Sequence, residues 1–382
     1  MRVFRYPPGA SARERGRAHG EAFAGEIRSL AELRTYLCRV VGGFASDADV
    51  MRMAAEHLPV LSRFDSELNE ELLGIAEGAG TSAESIVILN HYTDLRDLGR
   101  TRSSQARAFS AAAETETETI AETIGGDGCT VVWASTAAGP VLAQTWDMHA
   151  SAIPYVIALE TTDAGGEVNA VLLSVTGCLG MAGLSRTGVA MAINNLHSTD
   201  ATVGVVWSAL VRKAMAKNSA KEACDLVLSA PIGSGHHYVV ADANSVYAIE
   251  TSGQKRVVGF SSDPIGATDD TYVHTNHCLI DTVATSSRVP AGSTTYDRFE
   301  LAKQDAQSAP IASVDDAFLR LGSEKGYPRS VCTNMATAEK PHAAATCGAL
   351  SIDLRRGRML ACAGFAHLAR PTEFQVAMEN RQ

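Results

Sequence analysis

Apolar residues recur at helical spacing through the first third of the chain. The segments 11–40, 47–60 and 66–79 each predict an amphipathic helix, because apolar side chains three or four residues apart share one helix face. The apolar run at 85–90 fits either a short strand or a turn of helix. The first segment shows the period most clearly, with Phe23, Ile27, Leu30, Leu33 and Leu37. The first third is therefore predicted to be mainly helical.

After Cys129 the pattern changes to the alternation that is typical of strands. The segments 130–135 and 141–146 predict a hairpin, which places Asp147 opposite Thr130 to within one residue. The strand register alone therefore predicts a carboxylate beside Cys129.

Further strands and helices follow to the end of the chain. Strands are predicted at 155–161, 168–175, 237–241, 245–251, 272–275, 345–353 and 358–363, and helices at 206–215, 219–228, 297–304 and 314–320. The segment 181–195 predicts a turn at 186–188 and then an apolar strand that ends at Asn194 and Asn195. Blocks of strands flanked by pairs of helices favour an α+β fold with two stacked sheets and helices outside them.

The composition narrows the classes of function. The chain has 382 residues and a net charge of −10, which argues against a nucleic acid or an anionic membrane as partner. It contains no run of about 18 apolar residues, so no membrane span is predicted. The eight cysteines are scattered singly, which favours neither a zinc site nor a disulfide framework. With an N-terminus that lacks a signal-peptide core, this pattern predicts a cytoplasmic protein.

The junction between the helical and strand-rich parts carries the candidate chemistry. A polar, alanine-rich stretch at about 103–124 predicts a flexible tether, because it cannot bury enough apolar surface to order itself. It leads into the glycine-rich segment 125–128 and then Cys129. Glycine allows strained backbone angles, so the Cys129 thiol can reach the carbonyl carbon of Gly128.

Attack of the thiol on that carbonyl would form a thioester, and water would then cut the chain. Cys129 would then carry both a thiol, with a pKa near ~8.5, and an α-amine, with a pKa near ~7.7–8.0. The neutral amine can take the thiol proton, so no catalytic histidine is needed. The alternative is that Cys129 is a small buried residue at the start of a strand, preceded by a glycine turn.

Short motifs in a fixed order carry a resemblance to a known family. They are Gly74–Gly80, Leu89-Asn90, Asp127–Thr130, Gln144–Asp147 and Val273–Leu279. Together with the spacing from Cys129 to Asp147, they resemble the acyl-CoA:6-aminopenicillanic acid acyltransferase family. These are self-cleaving cysteine N-terminal-nucleophile (Ntn) hydrolases of peptidase class C45. The likeness extends from about Gly16 to Asp353.

The resemblance implies an αββα fold of two stacked, mainly antiparallel sheets flanked by helices. It also implies a break between Gly128 and Cys129, after which Cys129 is the nucleophile. The helical fragment 1–128 and the fragment 129–382 would remain associated as one domain.

Roles for other residues also come from the resemblance. It implies that Asn276 donates a hydrogen bond in the oxyanion hole and that Asp147 orders the site. Ser252 aligns with a serine that the family needs near the cleavage site. The alternative explanation is a capped turn for Asn276 and local backbone hydrogen bonds for Asp147.

Candidate substrate-binding residues are Asn194 and Asn195 at a strand end, and Arg329, which could bind an anion. One segment departs from the family. The penicillin-forming enzymes carry an arginine before the last hairpin that holds the substrate carboxylate, whereas residues 340–345 contain none. This departure argues against isopenicillin N as the substrate.

The leading hypothesis is a self-cleaving amidohydrolase or N-acyltransferase that acts on a small N-acyl amine or amino acid. Acyl-CoA is a candidate co-substrate, and no other cofactor and no metal is expected. A catalytically inactive binding scaffold with the same fold is the alternative. A papain-like protease would need a base histidine, for which the chain has no local signature.

Overall fold

The first third of the chain is helical, as its apolar spacing predicts. The computed structural model describes residues 1–108, 128–266 and 270–379. Its first elements are β1 (Arg2–Arg5), α1 (Ala12–Ala22), α2 (Ala24–Gly42), α3 (Asp47–Ala55), α4 (Leu58–Phe64), α5 (Ser66–Ala79) and α6 (Ala83–Ala108). Ser11 and Glu14 form the predicted capping box at the start of α1.

Four predictions for this part differ from the structure. The helix predicted over 47–60 is divided into α3, which ends at Ala55, and α4, which begins at Leu58. The helix predicted over 11–40 is divided at Phe23, whose φ of −129° is not helical. The run 85–90 is part of α6, which contains a kink at His91. Helix α6 also includes residues 103–108, so the predicted tether loses its first residues to the helix. The rest of the tether, and the glycines before Gly128, lie outside the described residues.

The remainder of the chain alternates between strands and helices. The strands are β2 (Gly128–Ala134), β3 (Val141–His149), β4 (Val156–Thr162), β5 (Val168–Val175), β6 (Ala182–Ser185), β7 (Ala190–Asn195), β8 (His197–Ser198), β9 (His236–Ala241), β10 (Val246–Thr251), β11 (Arg256–Ser262), β12 (Thr271–His274), β13 (Ser287–Arg288), β14 (Ala344–Asp353), β15 (Arg358–Ala363) and β16 (Thr372–Gln375). The helices are α7 (Trp207–Met215), α8 (Ala220–Ser229), α9 (Asp281–Ala284), α10 (Thr295–Ser308) and α11 (Val314–Leu321), with a 3₁₀ helix at Ala150–Tyr155.

The strands form two large sheets that lie face to face. One sheet has the order β1-β4-β5-β6-β7-β9-β10-β11, the other β12-β2-β3-β14-β15-β16, and β13 pairs with β8 separately. Helices α7 and α8 pack on the first sheet, and α10 and α11 pack on the second. The predicted α+β, αββα class is therefore confirmed. Among the described residues no single helix could cross a membrane, although Ser66–Ala79 and Ala83–Ser104 meet the length and composition test as a pair bent by 116°.

The hairpin of β2 and β3 has a register that differs from the predicted one. Asp147 pairs with Gly128, not with Thr130, because the strands already part at Ala134 and Val141 and leave a longer loop. The difference is two residues, which keeps each side chain on its predicted face of the sheet. Asp147 therefore still lies beside the backbone of Cys129.

The two sheets are tied together close to Cys129. The side-chain amide of Gln144, on β3, accepts from the backbone N–H of Ile193 at 2.9 Å and donates to its carbonyl at 2.7 Å. Ile193 lies on β7, in the opposite sheet. The Gln144 side chain thus makes the same pair of hydrogen bonds that a neighbouring strand would make, but between the two sheets. These bonds fix the end of β7 relative to β2 and β3.

Helices α1 and α5 cross with their backbones in direct contact. Glycines make this approach possible, because a methyl group on any of them would overlap a carbonyl oxygen of the other helix. The oxygen would lie at 2.0 Å for Gly16 (Glu71), 2.2 Å for Gly74 (Arg13), 2.2 Å for Gly78 (Arg17) and 2.4 Å for Gly20 (Ile75). The motif Gly74–Gly80 thus serves helix packing.

We expect Gly74→Ala to lower the free energy of unfolding by roughly 1–3 kcal/mol, because the methyl group forces two backbones apart. Gly25→Ala is the matched control, since a Cβ atom at that position would have no neighbour within 4 Å. It should leave stability unchanged or raise it by up to about 1 kcal/mol, through helix propensity. Urea unfolding of both variants checks this, and equal stabilities would contradict the packing role.

Candidate active site

Cys129 is buried at the start of β2, and its backbone is held at both ends. Its N–H donates to Oδ1 of Asn276 at 2.7 Å. Its carbonyl oxygen accepts from Nδ2 of Asn194 at 2.9 Å and from Nη1 of Arg298 at 2.7 Å. Only 5% of the residue is exposed. The residue that carries the candidate nucleophile is therefore fixed by side chains from three separate elements.

Asn276 follows β12, and its backbone N–H and both polar atoms of its side chain are hydrogen-bonded. Its backbone N–H donates to Oγ1 of Thr295, and its Oδ1 accepts from Cys129 and from Arg298. Its Nδ2 donates to the carbonyl of Asn195 at 2.9 Å. In this uncut chain Asn276 therefore receives the Cys129 amide, and its role as an oxyanion donor stays a prediction.

Arg298, on α10, is a candidate site residue that the sequence reasoning missed. Its guanidinium is fully buried and reaches Cys129, Thr130 and Asn276, with distances of 2.7, 3.0 and 2.9 Å. The signal was present in the helical period. Arg298 lies on the buried face of α10 between Thr295 and Ala302, where an apolar side chain would be ordinary.

Asp147 lies on the other side of Arg298, at the end of β3. Its Oδ1 accepts from Oγ1 of Thr346 at 2.8 Å, and its Oδ2 lies 3.8 Å from Nη1 of Arg298. Burial raises the pKa of the Asp147 carboxyl to about 6, although the Arg298 charge opposes this shift. Conversely, burial lowers the pKa of Arg298. The two side chains form a buried ion pair, in which the Asp147 carboxyl is the group that gains a proton as pH falls through about 6.

Gly128 fits into the space between these two charges. A Cβ atom there would lie 3.0 Å from Nη2 of Arg298 and 3.1 Å from Oδ2 of Asp147. Asp147 Oδ2 has no hydrogen-bond partner among the described residues. The peptide bond between Gly128 and Cys129 therefore runs past an ion pair, one member of which has an oxygen available to a new donor.

Asn194 and Asn195 end β7 and belong to the same network. Asn194 binds the Cys129 carbonyl, and the Asn195 carbonyl accepts from Asn276. Both asparagines therefore contact Cys129 or Asn276 directly, and Arg298 links these two residues to Asp147.

Ser252 and Arg329 make other contacts. The Ser252 hydroxyl donates to Oδ2 of Asp200 at 2.8 Å and accepts from the backbone after β10, which shapes a turn. Arg329 donates to Oδ2 of Asp297 and to the carbonyl of Ser293, both at 2.6 Å, and its side chain is 40% exposed. Their predicted roles, at the cleavage site and in anion binding, stay predictions.

The arrangement suits acyl chemistry on sulfur. Cys129 carries a thiol, its backbone N–H donates to the Asn276 side chain, and its carbonyl oxygen accepts from the Asn194 amide and the Arg298 guanidinium. Such groups can stabilise the charge that develops when a thiol attacks a carbonyl.

Comparisons with known proteins agree with the motifs. The sequence model of the family described as acyl-coenzyme A:6-aminopenicillanic acid acyl-transferase matches residues 135–364. The chain is 25% identical, over 84% of its length and 81% of the relative's, to the acyl-coenzyme A:6-aminopenicillanic-acid-acyltransferase 40 kDa form of Emericella nidulans.

Solved structures show a more distant likeness. An N-acylethanolamine-hydrolyzing acid amidase ortholog from Caenorhabditis elegans has 12% identity and a TM-score of 0.41, over 59% of this chain and 93% of its own. A conjugated bile acid hydrolase from Clostridium perfringens has 13% identity and a TM-score of 0.40, over 66% and 93%. The family model, by contrast, covers more than half of the chain. The chain therefore belongs to the acyl-coenzyme A:6-aminopenicillanic acid acyl-transferase family.

Proposed function

We propose that this protein cuts its own chain between Gly128 and Cys129 and then uses Cys129 to hydrolyse or transfer the acyl group of a small N-acyl amine or amino acid. One observation carries the proposal. The N–H of Cys129, which would become the leaving amine, donates to Asn276, while Asp147 and Arg298 enclose Gly128.

The first step is an exchange of acyl bonds. The Cys129 sulfur attacks the Gly128 carbonyl carbon, a C–S bond forms, the C–N bond breaks, and the thiol proton passes to the departing nitrogen. Water then hydrolyses the thioester, which leaves a carboxylate on Gly128 and returns the free thiol to Cys129, whose amine was released in the first step. The chain supplies every reacting group in these two steps except water, so no other reactant is required.

The same sulfur would serve the second reaction. The new α-amine takes the thiol proton, and the sulfur attacks the substrate carbonyl to form an acyl-thioester. Water as acceptor completes an amide hydrolysis, whereas an amine completes an acyl transfer. Asp147, next to the new amine, would hold it as an ammonium ion when it returns a proton to the leaving group.

Family membership supports an acyl donor such as acyl-CoA and a small amine acceptor, as named for the Emericella nidulans relative. The segment 340–345 has no arginine to hold a substrate carboxylate, so isopenicillin N is not expected to be the substrate. Incubation with acyl-CoA, in the presence and absence of amines, separates transfer from hydrolysis by the mass of the product.

The fragments would stay together after the cut. Strand β1, from the first fragment, pairs in parallel with β4, from the second. Buried ion pairs also join them, such as Arg212 with Glu71 at 3.0 Å. Separation of the fragments would expose the backbone hydrogen bonds between β1 and β4 and the buried charges to water. The two fragments should therefore remain together as one complex.

Intact mass and N-terminal sequencing of freshly purified protein test the proposal. We expect one fragment to begin at Cys129, because only this cut places amine and thiol on one residue. Cys129→Ala should remain a single chain of 382 residues. Cys224→Ala is the control, since Cys224 is buried in α8, and it should be cut normally. An uncut wild-type chain after long incubation would favour the inactive scaffold.

Two substitutions separate the donor and acceptor roles of Asn276. Asn276→Asp keeps an oxygen that can accept from Cys129 and Arg298 but loses the N–H donor. If the side chain stabilises the oxyanion, Asp and Ala should both reduce the acylation rate of Cys129 by roughly 10²–10³-fold. Full activity of the Asp variant, measured by mass shift with acyl-CoA, would restrict Asn276 to the acceptor role.

Acylation of the cut protein should depend on pH through Asp147. In the uncut chain the pKa of the carboxyl is about 6. The ammonium ion released by the cut would lower this pKa, so the rate in the cut protein should fall as pH decreases through a value below about 6. The loss follows because a neutral carboxyl no longer attracts the new ammonium ion. Asp147→Asn should be slower and lack this step, and an unchanged step in that variant would assign it to another group.

A further inference from the structure

A chain of hydrogen bonds extends from the Cys129 carbonyl through Asn194 to two further buried side chains. Nδ2 of Asn194 donates to the Cys129 carbonyl at 2.9 Å. Oδ1 of the same amide lies 2.7 Å from Nδ1 of His237. Nε2 of His237 lies 3.0 Å from the hydroxyl of Tyr272. The four groups come from β2, β7, β9 and β12, and so from both sheets.

The direction of each hydrogen bond in this chain follows from the carbonyl at its end. A carbonyl oxygen can only accept, so Asn194 must direct its amide nitrogen at Cys129 and its oxygen at His237. That oxygen can only accept as well, so His237 must carry its proton on Nδ1. Nε2 is then a bare acceptor in the neutral ring, and the Tyr272 hydroxyl must donate to it.

The surroundings of His237 keep this arrangement in place. The ring is completely buried and stacks on His274, with centroids 3.5 Å apart and an angle of 10° between the planes. Burial and the neighbouring His274 hold the pKa of His237 well below its usual value, so the ring is neutral. His274 is itself fixed by Glu250, at 3.0 Å from its Nε2.

The opposite tautomer of His237 would reverse the amide. With the proton on Nε2, Nδ1 would accept, and Asn194 would have to turn its nitrogen toward the ring. Its oxygen would then face the Cys129 carbonyl oxygen, so two acceptors would meet in a buried site, which is unfavourable. The Tyr272 hydroxyl, by donating to Nε2, stabilises the tautomer that avoids this.

We propose that Tyr272 and His237 are positioning residues, which select the amide orientation of Asn194 and thereby hold the backbone of Cys129 for reaction. Neither residue touches the reacting atoms in this arrangement. Their effect on rate rests on the proposed self-cleavage, whereas the tautomer of His237 does not depend on it.

Rates of self-cleavage, followed on gels with chain made by cell-free translation, test the kinetic part. Tyr272→Phe removes only the hydroxyl, and we expect cleavage to slow roughly tenfold, the usual effect of one buried hydrogen bond. Tyr238→Phe is the matched control, because its hydroxyl is buried on the same strand as His237 and has no hydrogen-bond partner among the described residues. It should be cut at the wild-type rate.

Two substitutions of His237 provide a rescue. The Asn side chain places an N–H donor where Nδ1 lies, so His237→Asn should retain cleavage to within about threefold. His237→Leu leaves the Asn194 oxygen without a donor and should slow cleavage at least tenfold. Equal rates for the Asn and Leu variants would overturn the positioning role.

Histidine-selective ¹⁵N labelling gives a readout that needs no activity. In the Cys129→Ala chain we expect the His237 ring, assigned through its loss in His237→Asn, to be neutral with its proton on Nδ1. Tyr272→Phe should shift the population toward the other tautomer. If His237 carries its proton on Nε2 in the Cys129→Ala chain, the proposed positioning role of Tyr272 and His237 is refuted. Absence of self-cleavage in the wild type, with the Nδ1 tautomer present, would instead refute the proposed function alone.

Discussion

A single buried guanidinium holds the active region together. A charge removed from water is costly unless hydrogen bonds and an opposite charge compensate it. Arg298 obtains this compensation from the carbonyl of Cys129, the side chain of Asn276 and the nearby carboxyl of Asp147. Helix α10, which carries Arg298, must therefore contact three parts of the chain: the start of β2, the end of β3 and the loop after β12.

The two sheets contribute complementary halves of the site. Cys129, Asp147 and Asn276 belong to one sheet or its margin, while Asn194 ends a strand of the other. The side-chain amide of Gln144 makes two hydrogen bonds to the backbone of Ile193, the residue before Asn194, and so sets the distance between the two sheets at this point. Precision of the site is thus a property of how the sheets stack, and side chains remote from the sulfur determine it.

Much of this could be predicted from sequence, and the exceptions have physical causes. Period and alternation located most helices and strands, because each buries one face. The predicted register of Asp147 was wrong by two residues, because the alternation of apolar and polar residues does not determine the length of a hairpin loop. Strands β1 and β11 were missed, since β1 has only four residues and β11 is partly exposed at the edge of a sheet. Arg298 was missed because a charged residue in an amphipathic helix is ordinarily assigned to solvent.

The pairing of β1 with β4 has a consequence for reversibility. Residues at the very beginning of the chain complete a sheet whose other strands come from beyond Cys129. While the chain is continuous, this closure is intramolecular and costs only the entropy of a loop. If the chain is cut as proposed, the same pairing requires an encounter between two molecules at their actual concentration. The cut would therefore make unfolding difficult to reverse. The folded, cut protein would persist, but after complete denaturation and dilution the two fragments would not readily reassemble.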